Sequence, residues 1–243
     1  MNLLINGLRF LWRMWFYVWM LFVILLLFPF LLIFTFSEKT YRQFFYVGKI
    51  WGTLMLFGMG FIPKIHGEKF FKKNQSYMLT SNHTSMMDIM MMFYLVKTPF
   101  VFVGKKELAK MPLFGYFYKR TCILVDRGNV RSRRAVFDEC QRRINQGNSI
   151  CIFPEGGVPD DMNIVLDTFK DGAFRLAIEH QIPIIPISFP TNKEKFSYQF
   201  FSGSPGVLEA YIHPAVSTEG MTLANKQELK EKVRQVILSK LKK

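Results

Sequence analysis

The chain has 243 residues, half of them apolar and 21% charged, with 32 Lys+Arg against 18 Asp+Glu. That length suits one α/β domain with little left over, and the apolar share excludes a disordered chain. A formal charge of +14 asks for a polyanionic partner, either nucleic acid or an anionic membrane surface.

The N-terminal quarter decides between them. Only six of the 50 charged side chains fall within residues 1–60. Met14 to Phe36 is a run of 23 uncharged residues. As a helix it is roughly 34 Å long at ~1.5 Å per residue, against a hydrocarbon core of ~30 Å. It exceeds a signal-peptide core and is not followed by a small-residue cleavage site, so removal is not expected. Trp12, Trp15, Tyr17 and Trp19 crowd one end, as interfacial rings do, and Pro29 is placed to kink the helix.

After the polar hinge Ser37–Arg42 comes a second apolar stretch, Phe44 to Ile62, with Lys49 as its one charge and four glycines (Gly48, Gly52, Gly58, Gly60). The two segments read either as a pair of spanning helices or as a hairpin dipping into one leaflet. Positive charge flanks both (Arg9, Arg13; Lys39, Arg42; Lys64), and that symmetry favours the hairpin. The expected organisation is a membrane-anchoring helical hairpin at 1–62 and a second domain at 63–243. The lipid bilayer is the expected partner and nucleic acid is not; the site is expected on the cytoplasmic face.

Beyond Pro63 strands and helices alternate. Strands are predicted at 77–81, 100–103, 121–125, 149–153, 184–189, 198–201 and 207–212. Helices are predicted at 85–97, 106–118, 130–146, 172–179 and 226–241. Such alternation implies an α/β fold with a mostly parallel sheet flanked by helices, whose ligands gather at the carboxyl ends of the strands. The two prolines of Ile182-Pro183-Ile184-Ile185-Pro186 suggest an edge or strand-start element. The methionines after His83 (Met86, Met87, Met90, Met91, Met92) read as helix core or as the lining of an apolar channel.

Cys122, Cys140 and Cys151 are too few, and odd in number, for a disulfide framework, which points to a reducing compartment. The four histidines lie far apart without zinc-like spacing, so no metal site is expected.

Three clusters lie at predicted strand ends. In Ser81-Asn-His-Thr-Ser-Met-Met-Asp88, His83 on the turn and Asp88 in the first helical turn can converge. A carboxylate on one imidazole nitrogen would fix the tautomer and free the other as a base. The same residues also read as a Ser85-x-x-Asp88 capping box. In Phe153-Pro-Glu-Gly-Gly157, the turn could bring backbone N–H groups to an anion, and Glu155 could hold a hydroxyl or a cation; a plain β-turn is the alternative. In Asp126-Arg127-Gly128, Arg127 offers a planar fork for phosphate.

Together, in this order, these clusters resemble the glycerophospholipid acyltransferase family, in particular its 1-acylglycerol-3-phosphate acyltransferases. The family's Asn-His-x-Ser-x-x-Asp block is matched by Asn82, His83, Ser85 and Asp88, and its Asp-Arg strand end by Asp126 and Arg127. Its Phe-Pro-Glu-Gly turn is matched by Phe153 to Gly156, its Lys-x-Gly-Ala helix start by Lys170, Gly172 and Ala173, and its Pro-x-x-Pro strand by Pro183 and Pro186. The resemblance implies that His83, oriented by Asp88, takes a proton from the free hydroxyl of a lysophospholipid acceptor. The donor would be the thioester of acyl-CoA or acyl carrier protein, a co-substrate, with no cofactor.

Asn82, Ser85, Arg127, Glu155, Gly156 and Lys170 would serve substrate binding. One departure bears on the acceptor: Val158 stands where the family turn carries arginine. The phosphate would then fall to Arg127, Lys170 or other basic side chains. Alternatives are a different acceptor, such as a lyso-aminolipid or another lysophospholipid, and a non-catalytic lipid-binding membrane protein.

Overall fold

The computed structural model describes residues 2–67, 70–72, 74–112, 114–126, 130–159, 161 and 163–241. The N-terminal quarter folds into two helices, α1 (Asn2–Thr35) and α2 (Tyr41–Gly58), and α1 continues through Pro29. They pack antiparallel, because the indoles of α1 reach the carbonyl end of α2. Trp12 Nε1 donates to Met59 O at 3.2 Å, Trp15 Nε1 to Gly58 O at 2.8 Å and Trp19 Nε1 to Leu54 O at 2.9 Å. The aromatic cluster thus supplies donors for carbonyls that the end of a helix leaves bare. A side chain at Gly58 would overlap the Trp19 indole, so the close approach requires glycine there.

α2 is not free to span alone: it lies against α3 (Met87–Leu95). A Cβ at Gly52 would sit 2.9 Å from Met90 O, so the glycine lets the two backbones meet. Lys49 Nζ donates to the carbonyls of Phe93 (3.0 Å), Tyr94 (3.0 Å) and Val96 (2.7 Å), placing a cation on the negative end of α3. Lys49→Met is therefore expected to destabilise the fold by about 1.5–3 kcal/mol, the usual worth of hydrogen bonds to a charged group. Thermal unfolding in detergent checks this; an unchanged midpoint would remove the capping role.

Among the described residues one helix, Leu3–Thr35, is long and apolar enough to cross a bilayer. Its inner side (Phe16, Val23, Leu27) is buried in the domain core, while Leu4, Leu11, Val18 and Leu25 are 59–72% exposed. Arg13 fixes it to the domain through Ser197 O and Gln199 O at 3.0 and 2.8 Å.

The sheet has seven strands: β1 (Phe61–His66), β2 (Met78–Ser81), β3 (Phe100–Lys105), β4 (Ile123–Val125), β5 (Ser149–Ile152), β6 (Ile184–Ser188) and β7 (Gly206–Ile212). Their order is β1-β7-β6-β2-β5-β3-β4, and every pairing is parallel except β6 with β7. The remaining helices are α4 (Phe114–Thr121), α5 (Val130–Asn145), α6 (Gly172–Glu179), α7 (Asn192–Lys195) and α8 (Lys226–Leu238). Alternate strand residues feed two cores. Leu79, Cys151 and Ile185 join the side chains of α1, α2 and α3; Met78, Ile150 and Ile184 join those of α5, α6 and α8. The buried methionines of α3 belong to the first core.

Several expectations are corrected here. Strand β1, which was not expected, runs through Pro63; as an edge strand paired only with β7, it tolerates the missing N–H. Of the edge or strand-start alternatives for the two prolines, the strand start holds for Pro183, which immediately precedes β6, but β6 is not an edge strand and lies inside the sheet. Pro186 fits there because its backbone is directed away from β2, to where its carbonyl accepts from His213 N at 3.0 Å. The stretch 106–118 is a 3-10 turn at Lys106–Lys110 followed by α4, and Thr121 ends that helix rather than opening β4. Residues 198–201 form turns, not a strand.

Candidate active site

The carboxyl ends of β2, β5, β3 and β6 point the same way, and His83, Asp88 and Glu155 gather there. β2 ends at Ser81; the chain then turns through Asn82 to Ser85 and enters α3 at Met87. His83 sits on this turn and Asp88 one residue into the helix, so the two side chains converge. His83 Nδ1 and Asp88 Oδ2 are 2.9 Å apart.

The same carboxylate holds the turn that leads into the helix, which has no side-chain cap of its own. Oδ2 also accepts the backbone N–H groups of Thr84 (2.7 Å) and Ser85 (2.8 Å), while Oδ1 accepts Asn192 Nδ2 at 2.7 Å. Four donors hold a fully buried side chain in one position. Asn192, on α7, escaped the sequence reading: a lone Asn after Pro-Thr reads as a turn, and its partner lies 104 residues away.

The imidazole is only 14% exposed and lies flat on Phe153, with centroids 4.1 Å apart and planes at 15°. Nδ1 faces Asp88, leaving Nε2 as the nitrogen open to a substrate.

Glu155 staples the site. Its Oε1 accepts the backbone N–H of His83 at 2.7 Å and its Oε2 that of Asp167 at 2.8 Å. It is 3% exposed, so it joins the His83 turn to the loop before α6 rather than meeting solvent. Burial pushes its carboxyl above the usual 4.5, against the two N–H donors that lower it. A carboxyl raised in the fold binds protons more tightly there than in the unfolded chain. Its contribution to stability is therefore full below about pH 4.5 and is lost as pH rises through the folded value. Wild type is expected to lose stability relative to Glu155→Gln as pH rises above about 4.5. A difference in melting temperature that stays constant over that rise would refute the burial cost.

The other expected contacts separate into three groups. Asn82 and Ser85 are buried and turned inward. Asn82 pairs through both side-chain atoms with the backbone of Phe189 (3.0 and 2.8 Å), tying the ends of β2 and β6, and Ser85 Oγ donates to Phe196 O and accepts from Met87 N. Gly156, at φ +81, uses its N–H within the turn, bonded to Phe153 O at 3.0 Å. Lys170 bonds through its backbone N–H to Pro154 O at 2.8 Å, which sets it beside the Pro-Glu-Gly turn with an exposed side chain. Arg127 lies outside the described residues; Asp126 precedes it at the end of β4.

A cavity of about 400 Å³ opens beside the His83 turn, lined by Asn82, Thr84, Phe189, Lys193 and Ser197 among others. Residues 62–190, more than half of the chain, match the acyltransferase family. The chain belongs to the acyltransferase family.

Within the family it is 31% identical to mouse 1-acyl-sn-glycerol-3-phosphate acyltransferase alpha over 184 residues, 74% of this chain and 64% of that protein. It is 33% identical to 1-acyl-sn-glycerol-3-phosphate acyltransferase of Haemophilus influenzae over 150 residues, 61% of each. The chain thus spans less than two thirds of the length of these relatives. The crystal structure of the 1-acyl-sn-glycerophosphate acyltransferase of Thermotoga maritima superposes with a TM-score of 0.77 at 22% identity. That superposition covers 99% of this chain and 96% of that one, so the mostly parallel sheet with flanking helices is shared.

This acyltransferase-family chain has one further cation at the site that the sequence did not single out. Lys105 ends β3, and its Nζ lies 3.6 Å from where a side chain at Gly157 would begin. Read along the sequence it is one lysine in Gly-Lys-Lys-Glu; only the pairing of β3 with β5 brings it over the Pro-Glu-Gly turn.

Proposed function

We propose that this protein transfers a fatty acyl chain from acyl-CoA or acyl carrier protein to the free hydroxyl of 1-acylglycerol-3-phosphate, giving phosphatidic acid at a membrane surface. The contact between His83 Nδ1 and Asp88 Oδ2 carries the reading. With Nδ1–H donating to the carboxylate, Nε2 holds a free lone pair and takes the hydroxyl proton as the oxygen attacks the thioester carbonyl. When the tetrahedral intermediate collapses, the C–S bond breaks and Nε2–H returns the proton to the departing thiolate. Phe153 and the buried carboxylate keep the ring from turning, which favours this one geometry.

Positioning of the acceptor falls to the cations around the Pro-Glu-Gly turn. Lys105 Nζ stands beside Gly157, and Lys170 is bonded to the turn through its backbone. Lys105→Ala is expected to raise KM for lysophosphatidic acid by about 10–100-fold, the worth of one charge-assisted bond, with a smaller change in kcat. A fall in kcat at constant KM would place Lys105 elsewhere.

The exposed apolar side of α1 favours membrane association. Because α1 is bound along the domain from Arg13 to the Phe28–Phe117 contact, a hairpin resting in one leaflet fits better than a span. Val158 favours a second reading, in which the acceptor is another lysophospholipid or a lyso-aminolipid. Acyl transfer from oleoyl-CoA, palmitoyl-CoA and acyl carrier protein to a panel of lysophospholipids separates the two. Transfer to lysophosphatidic acid above all others supports the first reading, transfer only to another acceptor the second, and no transfer from any donor overturns both.

A further inference from the structure

A second cavity, also of about 400 Å³, shares no lining residue with the His83 site. It lies where α1 gives way to the hinge, between Phe36 and Glu38, the end of α4 (Lys119, Arg120) and the last turn of α5 (Arg142, Arg143). Arg143 is 2% exposed, yet its Nη1 is buried with no hydrogen-bond partner among the described residues. Its Nε donates to Glu139 Oε1 at 3.1 Å, its Nη2 lies 3.6 Å from Glu38 Oε1, and its plane faces the Tyr41 ring at 5.0 Å.

Arg142 binds both Glu38 and Glu139. Four cations and two carboxylates thus line the cavity, of which Arg142 and Arg143 engage the carboxylates, and the Nη1 of the buried Arg143 guanidinium still lacks an acceptor. Burial and the adjacent Arg143 charge both pull Arg142 below its usual value, as expected of like charges crowded together.

We propose that this cavity binds a phosphate group, and that the phosphate is the headgroup of an anionic phospholipid. Planar guanidinium groups match phosphate oxygens, and the one unpartnered N–H supplies a donor already desolvated. The lipid source follows from position. The cavity opens at the end of the long apolar helix, and Phe36, 87% exposed, stands on its rim. The proposal does not rest on acyl transfer, because no residue assigned to the reaction lines the cavity.

The full chain in detergent is titrated with short-chain phosphatidylglycerol, which is neither acceptor nor product of the proposed reaction. Short-chain phosphatidylcholine and inorganic phosphate serve as comparisons, with binding read from the melting temperature. Phosphatidylglycerol is expected to stabilise wild type. The paired substitution Lys119→Gln/Arg120→Gln, both exposed positions, is expected to weaken its apparent affinity about 10–100-fold. Lys232→Gln, on the exposed side of α8, removes a charge elsewhere and is expected to leave it unchanged. Arg143→Met should abolish binding; if it fails to fold, the exposed pair carries the test alone. Equal affinity in wild type and the exposed pair overturns the site, as does equal stabilisation by phosphatidylcholine. Inorganic phosphate acting as well as phosphatidylglycerol overturns the lipid source.

Discussion

His83→Ala should leave a folded protein whose acyl transfer is lower by about 10²–10⁴-fold, the usual worth of a positioned general base. The side chain carries little of the fold: its Nδ1 bond is one of four to Asp88, and the staple to Glu155 runs through its backbone N–H, which alanine keeps. Single-turnover rates beside thermal melts separate the two effects. A variant that melts like wild type and retains its rate would remove His83 from the chemistry. Asp88→Asn is a different experiment, since an amide would turn N–H groups toward the N–H donors of Thr84, Ser85 or Asn192, and stability should fall with activity.

The second large effect concerns the outer side of α1. Val18→Lys with Leu25→Lys places two charges one above the other on that face, where the native residues are 59% and 60% exposed. At about 2.5–3.5 kcal/mol for each charge within hydrocarbon, membrane partitioning should weaken by on the order of 10³-fold or more. Vesicle flotation measures it. Activity on detergent-dispersed substrate should persist, because neither side chain packs against the domain. Flotation equal to wild type would mean that α1 is not the membrane-contacting element.

The site was legible where chemistry is local in sequence. The spacing of His83 and Asp88 predicted their convergence, while the expected Ser85-x-x-Asp88 box is half made: Asp88 Oδ2 accepts the Ser85 N–H, but Ser85 Oγ accepts from Met87 N. The helix expected near 172–179 lies at Gly172–Glu179. What escaped were contacts made by pairing distant strands. Lys105 and Asn192 acquire meaning only when β3 lies beside β5 and α7 follows β6. β1 was missed because Phe-Ile-Pro-Lys-Ile continues an apolar run and contains a proline, which an edge strand accepts. The two prolines before and in β6 were read as an edge or a strand start: Pro183 stands at the strand start, while Pro186 lies inside the sheet, where its carbonyl does the bonding.

The placement of β1 has a consequence for biosynthesis. Its one neighbour in the sheet is β7, so Phe61–His66 pairs with Gly206–Ile212, the last strand to leave the ribosome. A nascent chain held early at a bilayer by α1 would keep that strand unpaired while nearly all of the domain is translated. Truncation just before Gly206 would strip it permanently. Its charged Lys64 and its Pro63 are the kind of residues that keep a waiting edge from recruiting a neighbour.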